Sequence, residues 1–263
     1  MDTVNKPSAL CSDNSIILMY HDVYDTHSSE SGFQNATAMP YKISAEEFEV
    51  HVRHICQLRK TMSKEVVFSF DDGGISFLKT IAPILEKYDY RGLFFVSTAY
   101  IGEPGFLSED DIRQLEKRGH TIGSHSHSHP ERMSALTAKQ ISAEWVMSQT
   151  YLSRILGHKV RYASIPNGYA SDTVYQSMAN AGYVEIYDSR PVSHIRRKAG
   201  VYTLYGRYAI KSSCDINEVL AIVSNPLKRF FLASRFQILA VLKKCLGRFY
   251  LKIREFFAER IHS

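Results

Sequence analysis

The chain has 263 residues, enough for one large α/β domain, and its 44% hydrophobic and 22% charged content suits a packed core rather than a disordered or fibrous chain. No run of about eighteen apolar residues occurs, which excludes a spanning helix, and Met1-Asp2-Thr3-Val4-Asn5-Lys6-Pro7 lacks the basic start and apolar run of a signal peptide. The net charge of +5 is unevenly placed: from Pro226 onward nine Lys and Arg stand against Glu255 and Glu259, a balance of +7 that leaves −2 for residues 1–225. Four scattered cysteines, Cys11, Cys56, Cys214 and Cys245, form no Cys-x-x-Cys and read as reduced, which points to the cytoplasm.

Residues 1–14 carry no periodic pattern. Residues 16–20 are a short buried strand that stops at His21-Asp22. Residues 23–43, rich in Ser, Gly, Asn and Thr, predict a long loop, of a length that is often functional, bordering the end of the His21 strand. Ser44-Ala45-Glu46-Glu47 opens a helix whose apolar face is Phe48, Val52, Ile55 and Leu58. His51 and His54 ride on that helix without a partner motif. Val66-Val67-Phe68-Ser69-Phe70 reads as a strand covered on both faces, ending in Asp71-Asp72-Gly73-Gly74.

Residues 75–88 predict a helix that Pro83 breaks or delays. A strand over 92–96 follows, then a helix from Ser108-Glu109-Asp110-Asp111 that closes near Gly119. The strand His120-Thr121-Ile122-Gly123 runs into Ser124-His125-Ser126-His127-Ser128-His129. A helix over 137–156, a strand over 162–165, the turn Pro166-Asn167-Gly168, a helix over 171–181, strands over 183–187 and 206–210, and a helix over 215–223 complete the pattern. Strands alternating with helices predict a parallel α/β sheet or barrel, with functional residues at the C-terminal strand ends.

Adjacent carboxylates at a buried strand end repel each other, and burial raises the cost. A bound cation removes the conflict. The three alternating histidines about fifty residues on are its candidate partners, because one Asp and two His commonly hold a hydrolytic zinc and leave a position for water. Taken alone, the histidine run reads equally well as a solvated polar loop. The upstream aspartates favour the metal.

Ser69-Phe70-Asp71-Asp72-Gly73 resembles the Thr/Ser-Phe-Asp-Asp-Gly signature of the polysaccharide deacetylases, carbohydrate esterase family 4 with its NodB-homology domain. The run from His125 to His129 resembles that family's His-Ser/Thr-x-x-His motif, in the same order and separation. The resemblance covers roughly residues 14–222 and implies a distorted (β/α) barrel with about seven strands. It implies a divalent metal, zinc above all, on Asp72, His125 and His129, with His127 outside. It further implies Asp71 as general base and the peptide N–H of Asn167 as an oxyanion donor. Ile17-x-Met19-x-His21 has the shape of the family's late Ile-x-Leu-x-His motif, which is missing after residue 200. Tyr20-His21 is similar to the permuted arrangement of poly-N-acetylglucosamine deacetylases, which implies His21 as the acid that protonates the leaving amine.

Two departures stand out. Ser164 and Asn167 occupy the places of the family's third-motif Arg and its aromatic neighbour. That Arg holds the base aspartate, and Arg161 and Arg207 are both candidates to replace it. Arg207 is also carried, with Asn167, as an oxyanion or substrate contact. The family's groove tryptophan has no counterpart, because Trp145 lies in a helix.

The activity implied is removal of N-acetyl groups from an amino sugar of a surface polysaccharide or of its lipid-linked precursor. A deformylase or O-deacetylase uses the same chemistry, and a catalytically silent carbohydrate-binding protein on the same fold is the rival. The chain divides at residue 225 into this domain and a tail, 226–263. In the tail Leu239, Leu242, Leu246, Phe249, Ile253, Phe256 and Phe257 recur at helical spacing, with Lys244, Arg248 and Lys252 on another face. That pattern fits a peripheral contact at the inner membrane face, a membrane-tethered scaffold, or a terminal helix docked on the barrel. No nucleic-acid motif accompanies the charge.

Overall fold

The computed structural model describes residues 11–12, 14–192, 196–198 and 201–246. In chain order these form β1 (Ser15–Tyr20), β2 (Asp22–Tyr24), β3 (Lys42–Ser44), α1 (Ala45–Leu58), β4 (Glu65–Phe70), α2 (Ala82–Lys87), β5 (Gly92–Val96), α3 (Glu109–Lys117), β6 (Thr121–Ser124), α4 (Ala138–Leu156), β7 (Tyr162–Ser164), α5 (Asp172–Asn180), β8 (Glu185–Tyr187), β9 (Arg196–Lys198), β10 (Tyr202–Tyr205), β11 (Tyr208–Ala209), α6 (Ile216–Ser224) and α7 (Pro226–Leu246). The main sheet runs β11-β1-β4-β5-β6-β7-β8-β10-β9, and β2 and β3 pair in a small sheet beside it. Eight of the main strands are parallel, and β9 alone joins antiparallel. The sheet curls into a distorted (β/α) half-barrel, so the expected rhythm of about seven strands is met with eight.

The strand expected over 206–210 is divided. β10 ends at Tyr205 on one flank of the sheet and β11 begins at Tyr208 on the other, so Gly206 and Arg207 alone span the seam. The curl is closed there by covalent chain rather than by a ladder. The backbone passes so close to residue 190 that a Cβ on Gly206 would lie 2.4 Å from the Arg190 carbonyl oxygen.

Side chains alternate across each strand. On β1, Ile16, Leu18 and Tyr20 face the helices, and on β4 Val66, Phe68 and Phe70 do the same, all joining the large outer core. Ile17, Leu93, Phe95, Tyr187 and Tyr205 point into the curl and form a second, smaller core. Gly123 makes room for one of them: a Cβ there would stand 2.5 Å from the Phe95 ring and 3.1 Å from the Tyr162 carbonyl oxygen.

Local signals set the helices. Ser44 caps α1 by accepting from Glu47 N–H, and Ser108 and Asp111 form a reciprocal capping box on α3. Pro83 has no N–H to give, and the turn before it, Phe77–Ile81, is π-helical, with Ala82 N–H reaching back to Phe77 O. The tail enters α7 at Pro226, while the expected apolar positions Phe249, Ile253, Phe256 and Phe257 lie outside the described residues. Among the described residues no helix is long and apolar enough to cross a membrane.

Gly123→Ala is expected to overpack the interior and cost about 1–3 kcal/mol. Urea unfolding should show a lower midpoint at unchanged slope.

Candidate active site

Alternation carries the interior column past the strand ends. Val67, Ser69 and Asp71 share one side of β4, Ile17, Met19 and His21 one side of β1, and Tyr205 and Arg207 one side of β10. Tyr20 pairs with Phe70 in register, so His21 and Asp71 leave their strands at the same level. Val96 pairs with Ser124, which sets His125 one residue above the end of β6. The candidate site residues therefore gather at the C-terminal mouth of the curl, in a cleft of about 360 Å³ lined by His21, Asp71, Asp72, His125, His129 and Asn167 among others. A larger depression, about 620 Å³, lies at the opposite end of the sheet around Arg59, Glu65 and Arg91 and contains none of these groups.

Asp71 is buried and gripped from behind. Arg207 donates from Nη1 to Oδ1 and from Nη2 to Oδ2, both at 2.7 Å, and Ser164 Oγ adds a third bond at 3.2 Å. The guanidinium is itself fully buried, donating also to Ser164 Oγ at 2.6 Å and Ser69 Oγ at 3.2 Å, with its carbon 5.3 Å from the Phe95 ring centre. Arg207 thus does not face the cleft as an oxyanion or substrate contact. The seam places it behind Asp71, where it takes the position open to Arg161 or itself, and Arg161 is exposed elsewhere. Burial works against an ionised Asp71, but the Arg207 charge beside it holds the carboxyl well below the usual range.

Asp72 follows in a left-handed conformation, φ 88°, rare for any residue but glycine. Gly73 continues it at φ 96°, and the turn is fixed by Ser97 N–H to Asp72 O and Leu107 N–H to Gly73 O. The turn swings Asp72 away from Asp71 and toward the histidines. His129 Nε2 lies 3.3 Å and His125 Nε2 3.5 Å from Asp72 Oδ1. One donor atom from each of the three residues falls within 4.8 Å of the others. His125 Nδ1 donates to the Ser164 carbonyl at 3.1 Å, which leaves Nε2 its lone pair, and burial pushes the imidazole down to about 4, so it is neutral. This donor set fits a divalent cation.

His127 turns away as expected, its Nδ1 2.9 Å from Thr98 Oγ1. Glu144 on α4 accepts from His127 N–H, Ser128 N–H and Ser128 Oγ, and so pins the histidine loop. No motif marked Glu144, since nothing in a helical sequence says which loop it will face. Asn167 lines the cleft at φ 54°. His21 Nδ1 is buried without a hydrogen-bond partner, and its ring lies 4.3 Å from that of Tyr41.

The 23–43 loop borders the cleft through Phe33, Asn35 and Tyr41. Its base is tied by buried Asp22, which accepts from Ser31 Oγ and Ser76 Oγ and lies 3.7 Å from the Lys42 ammonium. Phe33, 4.9 Å from the His129 ring, puts an aromatic wall where no tryptophan is available, and Trp145 is buried in α4.

The family profile for polysaccharide deacetylases matches residues 58–186, the stretch that holds both motifs. Over that stretch the chain resembles the polysaccharide deacetylase family. It is 25% identical over 206 residues to YxkH of Bacillus subtilis, a protein assigned to the polysaccharide deacetylases, covering 72% of this chain and 69% of that one. Other curated deacetylases are matched over less than half of their own length. The fold is that of the Streptococcus pyogenes deacetylase PplD, solved with acetate, at TM-score 0.64 and 20% identity over 80% of this chain and 97% of that one. It is likewise that of IcaB from Ammonifex degensii, at TM-score 0.63 and 20% identity over 81% and 97%. Arg207 reaches Asp71 from a part of the chain that the profile does not include.

Two outcomes follow. His125→Ala and His129→Ala should each lose bound divalent metal, read by elemental analysis. Arg207→Gln leaves Asp71 buried without its cation and should cost about 3–5 kcal/mol at pH 7. The folded value of Asp71 is depressed, so its stabilisation is complete above the unfolded value of about 3.9 and is lost as pH falls through the folded one. The deficit of the variant should therefore shrink below about pH 4 in urea unfolding.

Proposed function

We propose that this protein is a metal-dependent hydrolase that removes N-acetyl groups from an amino sugar of a surface polysaccharide or its lipid-linked precursor. The observation that carries the reading is Asp71, clamped by Arg207 and set beside the convergent donors of Asp72, His125 and His129. Asp72, His125 and His129 would hold a divalent cation, zinc by the chemistry of the donors, which would supply Lewis acidity toward water and a carbonyl. Asp71, kept ionised, accepts the proton of the attacking water. The Asn167 peptide N–H stabilises charge growing on the carbonyl oxygen. His21, across the cleft, delivers a proton to the departing nitrogen, which would otherwise have to leave as an amide anion.

The missing third-motif arginine and groove tryptophan favour a silent binding protein on the same fold. The grip of Arg207 on Asp71 supports catalysis instead. We also propose a peripheral membrane position on the cytoplasmic side, supported by α7, where Leu227, Phe230 and Phe231 are 61–75% exposed.

Acetate release from N-acetylated glycans, with zinc present and after chelation, tests the reading; formate or an O-acetyl product would point to the deformylase or O-deacetylase instead. Asp71→Asn should keep the metal and lose at least about a hundredfold in turnover. His21→Ala should keep the metal, lower kcat and remove one arm of the pH–rate profile. Intact rate and profile in His21→Ala would rule out its role as acid.

A further inference from the structure

The cleft does not end at the reacting groups. Met19, Tyr41, Ser189 and Lys211 line it, and the same four residues border a second groove of about 350 Å³ that runs between the barrel mouth and helices α6 and α7. Beyond them this groove is walled by Ile222 of α6 and by Leu232, Phe236 and Leu239 of α7. Two cations stand on it. Lys211, at the junction, has its ammonium 4.9 Å from the Tyr41 ring centre, and Arg235 projects from α7. Glu218, the acidic residue on the groove, is already paired with Lys228 at 2.8 Å. Among the described residues neither Lys211 nor Arg235 has an ion-pair partner.

On its outer side α7 carries a separate apolar stripe. Leu227, Phe230, Phe231, Ile238 and Val241 are 59–75% exposed and recur at helical spacing. Exposed apolar area of this extent on a helix marks a surface that another apolar phase covers.

We infer that the groove binds the linkage region of a lipid-phosphate-linked glycan. The N-acetylated sugar lies in the cleft, the phosphate or diphosphate against Lys211 and Arg235, and the start of the lipid chain along the apolar wall. The outer stripe of α7 rests on the bilayer from which the chain emerges. Lys211 stands where the polar cleft meets the apolar groove, and Arg235 lies within that groove, as a phosphate stands between sugar and hydrocarbon along such a molecule. A free polysaccharide strand presents nothing apolar for that wall to cover. This inference rests on the deacetylase reading and narrows its substrate to the lipid-linked class.

The test uses the full chain loaded with zinc, in neutral detergent, with three probes: a long-chain polyprenyl phosphate, the matching polyprenol and inorganic phosphate. The polyprenyl phosphate should bind, well ahead of the other two. Lys211→Glu with Arg235→Glu should weaken it about tenfold or more. If that pair does not fold, Lys211→Gln with Arg235→Gln should weaken it in the same sense. Binding unchanged by the substitutions, or inorganic phosphate bound as well as the lipid phosphate, overturns the inference. So does failure of the wild-type protein to bind the lipid phosphate, the result expected if residues 247–263 or a second copy fill the groove. Acetate release from a soluble N-acetylated oligosaccharide, measured in the same preparation, separates the two levels. Release without lipid binding overturns this inference alone; lipid binding without release from a soluble or a lipid-linked substrate overturns the deacetylase reading.

Discussion

Two neighbouring carboxylates buried at one strand end are the constraint on which this structure turns. Left alone, Asp71 and Asp72 would repel each other in a medium that screens poorly, and one would take up a proton. The fold separates their fates. Arg207 neutralises Asp71 through a bidentate contact from behind, and the left-handed turn at Asp72 sends that carboxylate to the two histidines in front. Each aspartate is charged for a different reason, and so each is free for a different role.

Arg207 can serve in this way only because of how the sheet closes. β10 and β11 lie at opposite flanks, and the two residues between them cross the seam of the curl. A side chain at that crossing points to the centre of the mouth, where Asp71 ends β4. Ser164 is the complement: its small hydroxyl leaves room for the guanidinium, bonds to both partners, and its carbonyl orients His125. Gly123 matters for the same reason, since a Cβ there would collide with the Phe95 ring, whose centre lies 5.3 Å from the Arg207 guanidinium carbon.

The backbone at the mouth holds much of the strain. Of the five non-glycine residues with positive φ among those described, Asp72, Ser126, His129 and Asn167 lie at the site, and only Asp89 is elsewhere. Each such conformation costs on the order of 1–3 kcal/mol and persists only where the surroundings over-determine it. Here they do: Glu144 holds the histidine loop from α4, and the Asp22 network ties the 23–43 loop beside the π-helical turn.

The sequence by itself determined the alternating strands and helices, the caps at Ser44 and Ser108, the break at Pro83 and the two short motifs that carry Asp71, Asp72, His125 and His129. These are local in the chain: periodicity, capping chemistry and spacing within two short motifs are all visible without a neighbour in space. It also narrowed the replacement arginine to Arg161 and Arg207 and could go no further. Choosing between them required knowing which strands flank the seam, a matter of sheet order that no local pattern encodes. The same holds for Glu144, for Phe33 as the aromatic wall, and for the groove that joins the cleft to α7 through Lys211. Each depends on two distant segments meeting, and only the tertiary structure decides which segments meet, because that is settled by the packing of the whole sheet rather than by any one stretch of it.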